Sequence, residues 1–176
     1  PNLDFFPKHV LEQDDPIFFF NKHIIDSTKE FCVSYKINLA FFERYGERGM
    51  VSLRKTLDYI PKEIFVIADG KRGDIFHSSQ MYADSLYNEL NFDASTLNPY
   101  MGGDAIIPFQ KKGKWSIILS ATSNPSSKDF QMIKTENGIP LYLEVVKKAK
   151  DWGDSDNIMF VVGGTNPLII KDIRIH

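Results

Sequence analysis

Ile64-Phe65-Val66-Ile67-Ala68-Asp69-Gly70-Lys71-Arg72-Gly73-Asp74 is the stretch that decides how this chain is read. Its first five residues are apolar and rich in β-branched side chains, the signature of a buried strand. The run then ends abruptly in charge. Along an extended chain alternate residues share a face, so Asp69 and Lys71 are expected to point the same way. Asp74, beyond Gly73, can turn away from them. Charged residues after a strand also make ordinary solvated loops. An ammonium held between carboxylates at a strand's carboxyl end is, however, where α/β proteins place their chemistry.

Working outward, apolar strands alternate with amphipathic helices. The spacing of Ile17, Phe20, Ile24, Ile25 and Thr28 predicts a helix over Pro16–Phe31. Val33–Asn38 reads as a strand. Gly46–Tyr59 reads as a helix with Val51, Leu53, Leu57 and Ile60 on its apolar side and Pro61 stopping it. Ile64–Asp69 is the next strand. Ser78–Leu90 is a helix with Ser78 or Ser79 as its N-cap. The strand Ala94–Leu97, a short helix Asp104–Phe109 and the strand Trp115–Ser120 follow. The helix Leu141–Trp152, the strand Ile158–Val162 and a helix from Pro167 to Ile175 complete the pattern. Parallel βα units are the economical reading. The strands end at Lys36, Asp69, Asn98, Ser123 and Gly163, which in a (β/α)₈ barrel would line one face. A doubly wound open sheet is the alternative, but no Gly-x-Gly-x-x-Gly follows the first strand.

Composition fits one soluble globular domain. The chain has 176 residues, 43% of them hydrophobic and 25% charged. A net charge of −2 gives no basic field for nucleic acid. No apolar run approaches the ~20 residues that span a bilayer, and no signal peptide is visible. The single cysteine, Cys32, reads as a buried small hydrophobe, and a reducing cytoplasm fits. The chain opens on Pro rather than Met, so its natural start is expected upstream.

Lys36 interrupts an otherwise apolar strand. It must reach an open mouth or carry a desolvation cost of several kcal/mol. With Asp69, Lys71 and Asp74 it would form an alternating chain of charge. Such an array suits a reaction that develops a carbanion beside a fixed ammonium, and it holds a proton donor in place. No metal is expected, because lysine competes with a cation for the aspartates and no His/Cys cluster has zinc spacing. His9, His23, His77 and His176 are scattered and read as structural or exposed. There is no Gly-x-Ser-x-Gly for a serine hydrolase.

Ala68-Asp69-Gly70-Lys71-Arg72-Gly73-Asp74-Ile75 resembles the Asp-x-Lys-x-x-Asp signature of the orotidine 5′-phosphate decarboxylase family in its longer bacterial form. Four more segments resemble that family, in family order. They are Tyr35 to Glu43, Asn98-Pro99-Tyr100-Met101-Gly102, Thr122-Ser123-Asn124 with Asp129-Phe130-Gln131, and Phe160 to Asn166. The resemblance implies conversion of orotidine 5′-phosphate to uridine 5′-phosphate and carbon dioxide, with no cofactor. It implies that Lys71 protonates C6 of the pyrimidine, that Asp69 lies near the departing carboxylate and orients Lys71, and that Lys36 contacts ribose and holds Asp69. It also places Asn38 against substrate and Ser123 on the pyrimidine ring. Asp74 and Ser78 would reach the neighbouring subunit's site in a homodimer.

The chain departs from the family at Asp74-Ile75-Phe76-His77-Ser78, where the family reads Asp-Ile-Gly-Asn-Thr. The family's first strand ends in Leu-Asp-Pro, whose aspartate binds ribose, whereas this chain opens at Pro1-Asn2-Leu3-Asp4. The family's seventh and eighth strands, with a Gly-rich loop and a phosphate-binding arginine, have no counterpart here. The resemblance therefore implies one (β/α)₈ barrel domain, truncated at both ends, holding about strands two to six. Such an arc exposes sheet edges, and residues 1–176 alone are expected to be poorly soluble and inactive. Two other readings remain open. One is a magnesium-dependent sugar-phosphate decarboxylase of the same superfamily, and the other is a non-catalytic remnant.

Overall fold

The computed structural model describes residues 2–175. Its elements are α1 (Lys8–Leu11), α2 (Pro16–Thr28), β1 (Ser34–Asn38), α3 (Ala40–Glu43), α4 (Gly46–Tyr59), β2 (Phe65–Arg72), α5 (Phe76–Asp84), β3 (Ala94–Leu97), β4 (Trp115–Ala121), α6 (Leu141–Ala149), β5 (Ile158–Val162) and α7 (Pro167–Ile175). The five strands form one sheet in the order β1-β2-β3-β4-β5, and every neighbouring pair is parallel. A doubly wound sheet reverses its order at a switch point. This one does not, so it is an arc of a (β/α) barrel with β1 and β5 as its outer strands. No helix among the described residues is long and apolar enough to cross a membrane.

Helix α2 starts where the sequence dictates. Asp15 caps it by accepting the Phe18 N–H at 3.0 Å, and Pro16 takes the first turn, where its missing N–H costs nothing. The same carboxylate accepts the Ser52 hydroxyl at 2.7 Å and pairs with Lys55 at 2.9 Å, tying α2 to α4. Leu53, Leu97, Phe92, Phe109, Ile106 and Ile118 are fully enclosed in the core.

Several expectations need correction. Helix α2 ends at Thr28 rather than Phe31. The Thr28 hydroxyl bonds the Ile24 carbonyl at 2.6 Å and the Tyr35 hydroxyl at 2.7 Å, and Phe31 and Val33 stand in solvent. Cys32 is only partly buried against the core. The inner face of α4 is Gly49, Ser52, Leu53 and Thr56, and Val51 is exposed. Helix α5 starts at Phe76, two residues before Ser78, and neither serine caps it. Ser79 instead brackets Asp74, donating to its carbonyl at 2.9 Å and accepting its N–H at 3.2 Å. After Asp84 the helix widens into a π-turn over Ser85–Glu89. The helix expected over Asp104–Phe109 is two 3₁₀ turns, Pro99–Ala105 and Ile107–Phe109, separated at Ile106. Gly102, at φ 77°, already kinks the first of them. Helix α6 stops at Ala149, not Trp152.

Gly49 lets α4 fold back on α3. A Cβ there would lie 1.9 Å from the Phe42 carbonyl oxygen. Alanine in place of glycine favours a helix interior by about 1 kcal/mol. The overlap is with backbone, which cannot rotate away, and overpacking of this kind costs about 1–3 kcal/mol. Gly49→Ala is therefore expected to lower stability despite its helix propensity. An unchanged or raised unfolding midpoint in denaturant would contradict this close approach.

Candidate active site

The site is built where β2 stops being regular. Ala68 pairs with Ser95 and Arg72 with Leu97, so four steps along β2 face two along β3. The extra residues form a bulge that holds Asp69, Gly70 and Lys71. Bulges re-aim side chains and recur beside active sites. Lys71 has φ 46°, a left-handed conformation that non-glycine residues rarely adopt. Asp69 and Lys71 do face each other, but through this bulge rather than through plain strand alternation.

Asp69 is buried, with 6% of its surface exposed, and both carboxylate oxygens are occupied. Oδ1 accepts the Lys71 ammonium at 2.6 Å and the Thr96 hydroxyl at 3.0 Å. Oδ2 accepts the Lys36 ammonium at 3.2 Å. Burial alone would raise the carboxyl's pKa. Hydrogen bonds from Lys71, Lys36 and Thr96 outweigh it and hold Asp69 below the usual carboxylate range, so it is ionised at neutral pH. Lys36 and Lys71 keep 59% and 47% of their side chains in solvent, so Lys36 reaches an open mouth and escapes the desolvation cost. One carboxylate cannot neutralise two ammoniums. The surplus positive charge faces solvent and suits an anionic ligand.

Asp74 does not extend this array. Its carboxylate accepts its neighbour Ile75's N–H at 2.7 Å and forms no ion pair among the described residues. The alternating chain of four charges expected from the sequence is a triad, Lys36–Asp69–Lys71. Gly73 lets the chain turn off between them. A Cβ there would meet the Asn98 carbonyl oxygen at 2.6 Å, and the Asn98 N–H bonds Arg72 O at 2.7 Å.

Asn38 ends β1 opposite Asp69 in register, and its Oδ1 accepts the Ala40 N–H at 3.1 Å. What it can offer a ligand is its amide N–H. Ser123 follows β4 and is exposed. It packs so closely on Gly163 after β5 that a Cβ there would lie 3.0 Å away. Ser78 lies in the first turn of α5, partly buried, beyond Asp74. The structure thus joins Lys36, Asp69 and Lys71 and sets Asn38 beside them. Ser123 sits at the same end of the sheet, and Asp74 and Ser78 lie on the segment that leads away. His9, His23 and His77 are exposed, and His176 lies outside the described residues. Among the described residues no group of three His, Cys, Asp or Glu side chains is placed to hold a metal ion.

Sequence reasoning assigned no role to Thr96, Arg72, Glu43 or Gln131, although the last three lie in segments that carry the family resemblance. Arg72 pairs with Glu43 of α3 and lies over the Tyr82 ring at 5.3 Å, fixing the loop after β1 against β2. Gln131 donates to the Thr122 hydroxyl and accepts the Thr122 N–H, each at 2.8 Å, pinning the segment that carries Ser123. Thr96 reads as an ordinary strand former. The available signal was a pair of hydroxyls, Ser95 and Thr96, in a four-residue strand that is buried throughout.

Known proteins resemble this chain in sequence and fold. The model of the orotidine 5′-phosphate decarboxylase / HUMPS family matches residues 20–174. The orotidine 5′-phosphate decarboxylase of Flavobacterium johnsoniae is 49% identical over 178 residues, covering 99% of this chain and 65% of the relative. That of Phocaeicola vulgatus is 46% identical over 172 residues, covering 96% of this chain and 63% of the relative. The chain thus spans about two thirds of the length of these relatives. The structure of Leishmania donovani OMP decarboxylase superposes with TM-score 0.85 at 36% identity, covering 90% of this chain and 64% of that one. Orotidine 5′-monophosphate decarboxylase of Plasmodium berghei gives 0.82 at 27%, covering 94% and 60%. With the Lys36–Asp69–Lys71 triad seated at the strand ends of a barrel arc, the match over residues 20–174 establishes that this chain belongs to the orotidine 5′-phosphate decarboxylase / HUMPS family.

Proposed function

We propose that the protein decarboxylates orotidine 5′-phosphate to uridine 5′-phosphate in pyrimidine synthesis, with Lys71 as the proton donor. The observation that carries this reading is the ionised, buried Asp69 gripped between the Lys36 and Lys71 ammoniums. As the bond from C6 to the carboxylate breaks, its electron pair stays on C6 and carbon dioxide leaves. The Lys71 ammonium stabilises that charge and delivers a proton to it. Asp69 keeps the Lys71 ammonium aimed, and its own negative charge opposes the substrate carboxylate that is to depart. Lys36 holds the second oxygen of Asp69 and reaches the ribose. Asn38 contributes its amide, and Ser123 bonds the pyrimidine.

No metal or organic cofactor enters this scheme. A cation bound to Asp69 would have to displace an ammonium from one of its oxygens, which disfavours a magnesium-dependent sugar-phosphate reaction. The proposed setting is the cytoplasm, with a nucleotide as substrate and neither nucleic acid nor membrane as partner.

The proposed assembly is a homodimer in which Asp74 and Ser78 serve the neighbouring site. Two observations support it. Asp74 stands apart from its own chain's triad, and the adjoining α5 segment exposes Ile75, Phe76 and Met81.

Lys71→Ala is expected to lower kcat by about 10²–10⁴-fold or more, with the loss falling on kcat rather than KM because the amine acts on charge present only in the transition state. The fold should survive, since Lys36 and Thr96 still bond Asp69. Wild type and Lys71→Ala are both made in a chain extended to the full length of its relatives, where wild-type turnover of orotidine 5′-phosphate, followed by loss of its ultraviolet absorbance, should persist in excess chelator. Wild-type-like turnover by Lys71→Ala, or turnover abolished by chelator, would remove this assignment.

The shared site has its own test. Asp74→Asn and Lys71→Ala chains should each be nearly inactive. After subunit exchange, half the dimers are mixed and each holds one site with both native groups, so about a quarter of the sites should recover. Exchange verified by mass spectrometry with no recovered activity would refute the sharing.

A further inference from the structure

The Thr96 hydroxyl touches both ends of the Asp69–Lys71 pair. Oγ1 lies 3.0 Å from Asp69 Oδ1 and 3.0 Å from the Lys71 backbone nitrogen. A hydroxyl has one proton to give. The Ala68 carbonyl is 3.5 Å away, so the proton goes to the nearer, charged acceptor, Asp69. The lone pair accepts the Lys71 N–H. That N–H lies within the bulge, between the Ala68–Ser95 and Arg72–Leu97 pairings, and it is a side-chain hydroxyl that takes it up. Thr96 is 2% exposed, so no water competes for these bonds. Its β-branched side chain, on a strand, has few rotamers to choose from.

We infer that Thr96 is a positioning residue for the proton donor, holding Lys71 in its left-handed conformation while fixing the direction of the Asp69 carboxylate that Lys71 Nζ meets. Thr96 belongs to β3, whereas both residues it binds are on β2. One hydroxyl therefore locks side chain to main chain across the strand boundary. Without it the Lys71 N–H is unpaired and the bulge can relax toward ordinary φ values, carrying the ammonium away from Asp69 Oδ1.

This inference rests on the proposed decarboxylation for its kinetic arm but not for its structural one. Thr96→Val keeps the shape and removes the hydroxyl. Thr96→Ser keeps the hydroxyl, and Thr96→Ala replaces the valine variant should that one not fold. The hydroxyl-free variant should lose about tenfold to a hundredfold in kcat, the range carried by one hydrogen bond to a charged group, with KM within about threefold. Thr96→Ser should recover most of that loss. Full turnover in Thr96→Val, or equal losses in Thr96→Val and Thr96→Ser that track their melting temperatures, would overturn the positioning role. Amide hydrogen exchange at Lys71 gives an answer without substrate. It should accelerate in the hydroxyl-free variant and stay slow in Thr96→Ser. Unchanged exchange in both overturns the inference. A wild-type protein extended to the full length of its relatives that leaves orotidine 5′-phosphate intact overturns the proposed reaction instead, and the exchange result still decides the part played by Thr96.

Discussion

A carboxylate with almost no access to water has to be paired, and Asp69 is paired three times. Leaving it buried and unpaired would cost several kcal/mol. The requirement runs outward through the strands. Lys36 must leave β1 on the same face as Asp69, two residues before its register partner Asn38. Lys71 must double back, and β3 must supply a hydroxyl at the height of the bulge. Each ammonium is about half in solvent, so neither ion pair contributes much net stability. What the triad fixes is geometry. Two mobile lysines are tethered to one rigid anion, and the surplus positive charge is left at the open end.

The backbone after Asp69 is held from several sides because it is not a low-energy path. A left-handed lysine costs about 1–2 kcal/mol, and strain of this kind persists only where the surroundings over-determine it. Here Thr96 takes the Lys71 N–H, Asn98 bonds the Arg72 carbonyl, and Arg72 is pinned to Glu43 and stacked on Tyr82. Gly73 then lets the chain pass against Asn98 where any side chain would collide. Of the two glycines of Asp69-Gly70-Lys71-Arg72-Gly73-Asp74, Gly73 thus answers to backbone and Gly70 only to the tip of a side chain. A Cβ at Gly70 would press on Leu39 at 2.9 Å.

Much of this is legible in the sequence. Strands Ala94–Leu97 and Ile158–Val162 and helices Gly46–Tyr59 and Pro167–Ile175 fall where periodicity and stop signals put them. The meeting of Lys36, Asp69 and Lys71 follows from residue type and position. The failures have physical causes. Strand β2 runs three residues further than expected, because charge and glycine marked an end where the ladder in fact resumes at Arg72 after a bulge. Ser79 looked like a helix cap because serine beside a helix start usually is one, but its hydroxyl brackets the Asp74 backbone instead. Val51 lies on the predicted apolar stripe of α4, yet the close approach permitted by Gly49 rotates Ser52 and Thr56 inward. Thr96 is hard to find because a hydroxyl that serves a neighbouring strand's backbone leaves only a weak trace in its own segment, the Ser95–Thr96 pair within a buried strand.

The segment after Asp74 is where the resemblance to the family signature breaks, and its environment gives that a physical sense. Phe76, where the resemblance implies a glycine, is the first residue of α5 rather than part of a loose turn. Its ring meets His77 edge-on at 5.9 Å, while Ile75 and Met81 extend the apolar surface along the same helix. A phenylalanine at that place adds area suited to contact with another protein surface, and adds no group that could bind phosphate or sugar. In the proposed dimer this surface and the Asp74 carboxylate would be buried together. The Lys36–Asp69–Lys71 triad is held by bonds that do not involve Phe76, so a phenylalanine there leaves its geometry intact whatever the surface around it meets.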